Sequence, residues 1–87
     1  SKEATATFEI VQDGSSIKVK VMEAFLPTDP KVNTYLYYHI ENAKGVIDKY
    51  AVIKVYQSEV LEISAGNLFN NEKLVVHYKG YTATFKL

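Results

Sequence analysis

The sequence predicts an all-β chain of one domain, a small antiparallel sandwich or barrel of about seven short strands. Three observations carry this. Apolar and polar residues alternate with period two through most of the chain, turn formers recur at roughly ten-residue spacing, and no segment holds a helical apolar period with assurance. The densest strand signal is Tyr35-Leu36-Tyr37-Tyr38-His39-Ile40, followed by the turn Glu41-Asn42-Ala43-Lys44-Gly45 and the return Val46-Ile47. Aromatic and β-branched side chains suit a pleated, half-buried surface, and Asn and Gly tolerate the dihedrals of a tight turn.

The other elements follow in chain order. Ala4 to Val11 alternates, with Ala4, Ala6, Phe8 and Ile10 on the expected inner side. Gln12-Asp13-Gly14-Ser15 is a turn joining antiparallel neighbours. Ser16 to Phe25 is a second strand, with Ile17, Val19 and Val21 inward and Lys18 and Lys20 outward. Its end, Met22-Glu23-Ala24-Phe25-Leu26, breaks the alternation as a bulge or change of face would. Pro27 and Pro30 make the next stretch a loop, because each removes a ladder donor.

Beyond the tyrosine hairpin, Val46 to Tyr56 is long, with Ile53 and Val55 on one face and Val52, Lys54 and Tyr56 on the other. Asp48-Lys49-Tyr50 is a candidate break within it. Ser58 to Ser64 reads as a fifth strand with Leu61 and Ile63 inward, although residues 58 to 69 also fit a short amphipathic helix. Ala65 to Glu72 is rich in turn formers. Lys73 to Tyr78 and Tyr81 to Leu87 are two strands joined by the tight turn Lys79-Gly80.

The chain has 87 residues, 47% hydrophobic and 23% charged, with ten basic side chains against ten acidic ones. A phosphate-binding surface normally shows a basic surplus, so no nucleic-acid partner is expected. No apolar run is long enough for a membrane helix, and membrane insertion is not expected. With no cysteine, neither a disulfide framework nor a thiolate metal site is available. The opening Ser-Lys-Glu lacks a Met, as an excised or mature segment of a larger protein would.

Tyr37-Tyr38-His39-Ile40-Glu41-Asn42-Ala43-Lys44-Gly45-Val46-Ile47-Asp48-Lys49 resembles the middle of an immunoglobulin-like β-sandwich family of bacterial proteins. Those domains resemble the "three Y" domain of two-component regulators and related modules attached to proteins of surface polysaccharide metabolism. Leu74-Val75-Val76-His77-Tyr78-Lys79-Gly80 is similar to a later strand of that family. Asn71-Glu72-Lys73 stands where the family has Gly-x-Tyr. The resemblance implies an immunoglobulin-like sandwich serving as a non-catalytic accessory module, with a location at the cell surface or outside the cell.

The residues themselves point the same way. There is no Gly-rich phosphate loop and no His-x-x-x-His pair, and the carboxylates fall mostly in turns or on polar faces. No catalytic residue and no cofactor is expected. His39 and His77 sit mid-strand; paired strands would let their rings meet, but no third ligand is visible, so no metal site is expected. The seven tyrosines are the compositional excess. Alternation turns Tyr35, Tyr37 and His39 to one face and Leu36, Tyr38 and Ile40 to the core. Tyr35 and Tyr37, with Tyr56, are therefore the candidate ligand-binding residues.

The leading expectation is a spacer or protein-interaction domain, its partners being neighbouring domains of the parent chain or another protein. A carbohydrate-binding module that stacks those tyrosines on a glycan is the alternative. A strand-exchanging adhesion or pilus-like subunit is a third reading.

Overall fold

A computed structural model describes residues 2–14, 16–29, 31–55, 60–64 and 72–87, with the backbone alone at residues 48, 60, 61, 63 and 64. The described residues form eight strands: β1 (Lys2–Ala4), β2 (Phe8–Asp13), β3 (Ser16–Val21), β4 (Thr34–Glu41), β5 (Ile47–Val55), β6 (Val60–Ser64), β7 (Lys73–Tyr78) and β8 (Tyr81–Lys86). They make two antiparallel sheets, of order β1-β2-β3-β6 and β5-β4-β7-β8. The chain crosses between sheets from β3 to β4, from β5 to β6 and from β6 to β7. This is an antiparallel all-β sandwich, one of the two architectures the sequence leads one to expect.

The alternation explains the core. Phe8, Ile10, Ile17, Val19 and Val21 of one sheet pack with Leu36, Ile40, Val55, Leu74, Val76, Tyr78, Ala83 and Phe85 of the other in one cluster. The inward sets expected for β3 and β4 lie there. Phe8 and Tyr78 meet edge to face across the two sheets, with ring centroids 6.4 Å apart. Sandwich cores of this kind gain their stability from apolar area removed from water on both inner faces.

The hairpins follow from local chemistry. Asn42 Oδ1 accepts hydrogen bonds from the backbone N–H of Lys44 at 2.9 Å and of Val46 at 3.0 Å, which fastens the β4–β5 turn. Gly45 supplies the positive φ of 79° that the return requires. Lys79 and Gly80 both have positive φ, 47° and 80°, the signature of the two-residue turn whose twist matches its strands. Residues 47 to 55 form one unbroken strand; the expected division at Asp48-Lys49-Tyr50 is instead an irregularity of register opposite Ile40 and Glu41. Of the strand-or-helix alternative over 58–69, residues 60–64 are strand, with Ile17 registered on Ile63 and Val19 on Leu61. Residues 58, 59 and 65–69, and the expected inward side chains of Leu61 and Ile63, lie outside what the structure describes.

Two expectations are corrected. Ala4 to Val11 is not one strand: the chain reverses after Ala4, and β1 folds back on β2. Thr5 Oγ1 accepts the N–H of Phe8 at 3.0 Å and Thr5 N–H bonds Phe8 O at 2.8 Å, so a threonine-stabilised turn wins over the extended pattern. Ala4 and Ala6 are consequently exposed. The second strand stops at Val21, and Glu23–Phe25 forms a single 3₁₀ turn. That turn swings Phe25 against Tyr81, ring centroids 4.9 Å apart, and brings its carbonyl to the Tyr78 hydroxyl at 2.8 Å.

Candidate functional site

The outer faces of the two sheets differ in character. On the β1-β2-β3-β6 face, Lys18 is registered on Glu62 and Lys20 on Glu9, and Lys2 Nζ lies 3.9 Å from Glu9 Oε2. Ser16 donates to Glu62 Oε1 at 3.0 Å. Interspersed charges of both signs make that face a solvated one.

The β5-β4-β7-β8 face is aromatic. Register lays its side chains in rows across the strands: Lys54 beside Tyr35; Val52, Tyr37, His77 and Thr82; then Tyr50, His39, Val75 and Thr84. A last row brings Glu41, Lys73 and Lys86 together. Five of the seven exposed large hydrophobic side chains among the described residues belong to β4, β5 or their turn: Tyr35, Val46, Ile47, Tyr50 and Val52.

At the centre of this face the rings of Tyr37, His39 and His77 pack on one another. Tyr37 lies 5.3 Å from His77 and 6.1 Å from His39, and the two imidazoles stack at 5.6 Å with 26° between their planes. The strands of the two histidines do pair, and the rings do meet. Each ring is then tied by a neighbour: His39 Nε2 to Glu41 Oε1 at 2.9 Å, and His77 Nδ1 to Thr82 Oγ1 at 3.1 Å. A carboxylate only accepts, so His39 Nε2 carries the hydrogen of the first pair. His39 Nδ1 is buried with no hydrogen-bond partner, which closes it to the proton of any substrate. Among the described residues no three His, Cys, Asp or Glu side chains are grouped to hold a metal ion.

The candidate residues are distributed unevenly. Tyr35 is 52% exposed on the outer face. Tyr37 is on the same face but half-buried, one side of its ring occupied by the histidines. Tyr56 lies outside the described residues, so the structure joins two of the three. Tyr50, 73% exposed, is the most exposed large hydrophobic residue described and was not among the candidates. The signal for it was present: Tyr50 shares the parity of Val52 and Lys54, and an expected break in the strand concealed it.

No family model, curated protein or solved structure matches the chain. The chemistry of the aromatic face therefore rests on its geometry. Among the described residues no helix is long and apolar enough to cross a membrane.

The orphaned His39 nitrogen leads to a test. Burying an acceptor without a partner costs about 1–3 kcal/mol, against which the half-exposed Glu41 bond sets only a modest gain. His39→Phe keeps the ring contacts and removes the orphan. Its urea midpoint is expected to equal or exceed the parent's, by up to about 1 kcal/mol in stability. A loss larger than that would show that the Glu41 bond outweighs the buried nitrogen.

Proposed function

We propose that this domain is a non-catalytic accessory module of a larger bacterial protein and acts as a protein-interaction domain through the β5-β4-β7-β8 face. The observation that carries the reading is the concentration of exposed Tyr35, Tyr50 and Val52 on one sheet face, while the opposite face is evenly charged. Contiguous exposed aromatic and apolar side chains cost solvation unless a partner covers them, and tyrosine is enriched where protein contacts form. The packed Tyr37-His39-His77 cluster beside them on the same face holds its rings in place, so little side-chain entropy is lost on docking. The resemblance to bacterial immunoglobulin-like accessory domains supports the same reading.

A glycan partner would use the same face, because tyrosine rings stack on sugars as readily as on protein. Of the two candidate rings described, Tyr35 and one side of Tyr37 are available for that. The two readings separate by following backbone amide shifts of labelled protein. The docking reading expects shifts at Tyr35, Tyr50 and Val52 when adjoining domains of the parent chain are added. Tyr50→Ala is expected to weaken that association about tenfold, in the range of a contact hot spot. Saturable shifts at Tyr35 and Tyr37 with surface oligosaccharides, and none with adjoining domains, would replace docking by glycan binding.

A further inference from the structure

The two outer faces arrange their charges in opposite ways. On the β1-β2-β3-β6 face, Lys18 is registered on Glu62 and Lys20 on Glu9, so each lysine of β3 stands beside an acid. On the aromatic face, Lys73 of β7 is registered directly on Lys86 of β8, and both side chains are exposed. Like charges set opposite one another across a ladder destabilise it. Glu41 is registered on Lys73 from the other side, but its carboxylate is turned to His39 Nε2 at 2.9 Å. No ion pair or side-chain hydrogen bond joins the ammonium of Lys73 or Lys86 to a described residue. Lys54, the other cation of this face, has a contact of its own and plays no part.

The same row begins on β5 at Ile47, which is registered on Glu41 and exposed, with Val46 exposed beside it. One end of the row is therefore aliphatic and the other cationic. We infer that the partner covering this face is an acidic segment of protein, which rests on the docking reading and gives its partner a chemistry. An apolar side chain of the segment sits on Ile47 and Tyr50, and its carboxylates sit between Lys73 and Lys86. Carboxylates there relieve the repulsion of the two lysines, and the same arrangement selects against basic partners.

The sheet sets the spacing. Adjacent strands lie about 4.8 Å apart, so the gap between the two lysines is roughly 12 Å from Ile47 across the order β5-β4-β7-β8. An extended chain advances about 3.3 Å per residue, which puts the carboxylates about four residues from the apolar anchor. The exposed aliphatic side chains favour protein over an acidic glycan. A sugar stacks on a flat ring, and Val46, Ile47 and Val52 offer none, whereas apolar side chains of a protein cover them.

Two synthetic peptides test this at low salt. One carries a phenylalanine followed four and five positions later by glutamates, and the other has glutamines in their place. Backbone amide shifts of the labelled domain are expected to saturate at Ile47, Tyr50, Lys73 and Lys86 with the acidic peptide. The glutamine peptide is expected to bind about tenfold more weakly. The double substitution Lys73→Gln, Lys86→Gln is expected to remove that preference while leaving the urea midpoint unchanged or raised, because it relieves the like-charge pair. Lys18→Gln, Lys20→Gln makes the same change of net charge on the other face and is expected to keep the preference.

Equal binding of the two peptides, binding of neither, or a preference that survives Lys73→Gln, Lys86→Gln would overturn the acidic partner. Saturable shifts with an oligouronate and none with the acidic peptide would overturn it in favour of an acidic glycan. Adjoining domains that shift Tyr35, Tyr50 and Val52 equally in the parent and in the Lys73→Gln, Lys86→Gln variant overturn the acidic partner and leave docking standing. A face that binds the acidic peptide but stays silent with adjoining domains overturns docking on those domains alone.

Discussion

Phe8→Ala is expected to lower stability by about 3–5 kcal/mol, enough to leave much of the domain unfolded at 37 °C, since small domains hold about 5–15 kcal/mol in all. Phe8 is 1% exposed and opens β2, where it reaches across the sandwich to the ring of Tyr78. Truncation removes the transfer free energy of the ring and leaves a void between two sheets that cannot close on it without breaking both ladders. Phe8→Leu, which fills most of the volume, is expected to cost less than half as much. Urea unfolding followed by far-ultraviolet dichroism measures both, and a change below about 1 kcal/mol for Phe8→Ala would mean that the sheets are not packed through this residue.

The second large effect is expected at Tyr78. This side chain is 1% exposed, and its hydroxyl reaches the carbonyl of Phe25 at 2.8 Å, tying the end of β7 to the turn between the sheets. Tyr78→Phe keeps the ring and orphans the carbonyl, an expected loss of about 1–2 kcal/mol. Tyr78→Leu also removes the edge-to-face contact with Phe8 and is expected to cost about 3 kcal/mol. If the hydroxyl matters through the turn, Tyr78→Phe should also speed amide exchange at Phe25 and Leu26. A loss of stability without that local opening would place the effect elsewhere.

These two residues were not equally legible in the sequence. Phe8 belongs to a run whose alternation names the inner face, and the structure buries it there. The same alternation wrongly carried Ala4 and Ala6 inward, because two alanines and two threonines fit a strand or a hydroxyl-stabilised turn equally well; the bond from Phe8 N–H to Thr5 Oγ1 decides between them. Tyr78 also alternates inward with Leu74 and Val76, yet its hydroxyl demands a partner that no period can supply. That partner is Phe25, 53 positions away, and it is in place only because the chain leaves β3 through a 3₁₀ turn.

The candidate site divides in the same way. Period two alone turned Tyr35, Tyr37 and His39 outward and Leu36 and Ile40 inward, and both faces are as expected. It did not foresee that His39 would be 9% exposed on an outer face, since that burial comes from β7, which lays His77 and Val75 beside it.

Alternation and paired turn residues thus determined by themselves that this chain folds as one antiparallel all-β domain, sandwich or barrel, with a definite inner face on most strands. The pleat forces that answer: side chains alternate whatever lies across the sheet. Strand order was decided only in three dimensions, and with it the choice of sandwich, the stack of Tyr37, His39 and His77 and the contrast between the two outer faces. Each depends on which strands become neighbours, and neighbours are chosen by the packing of all the inner faces together.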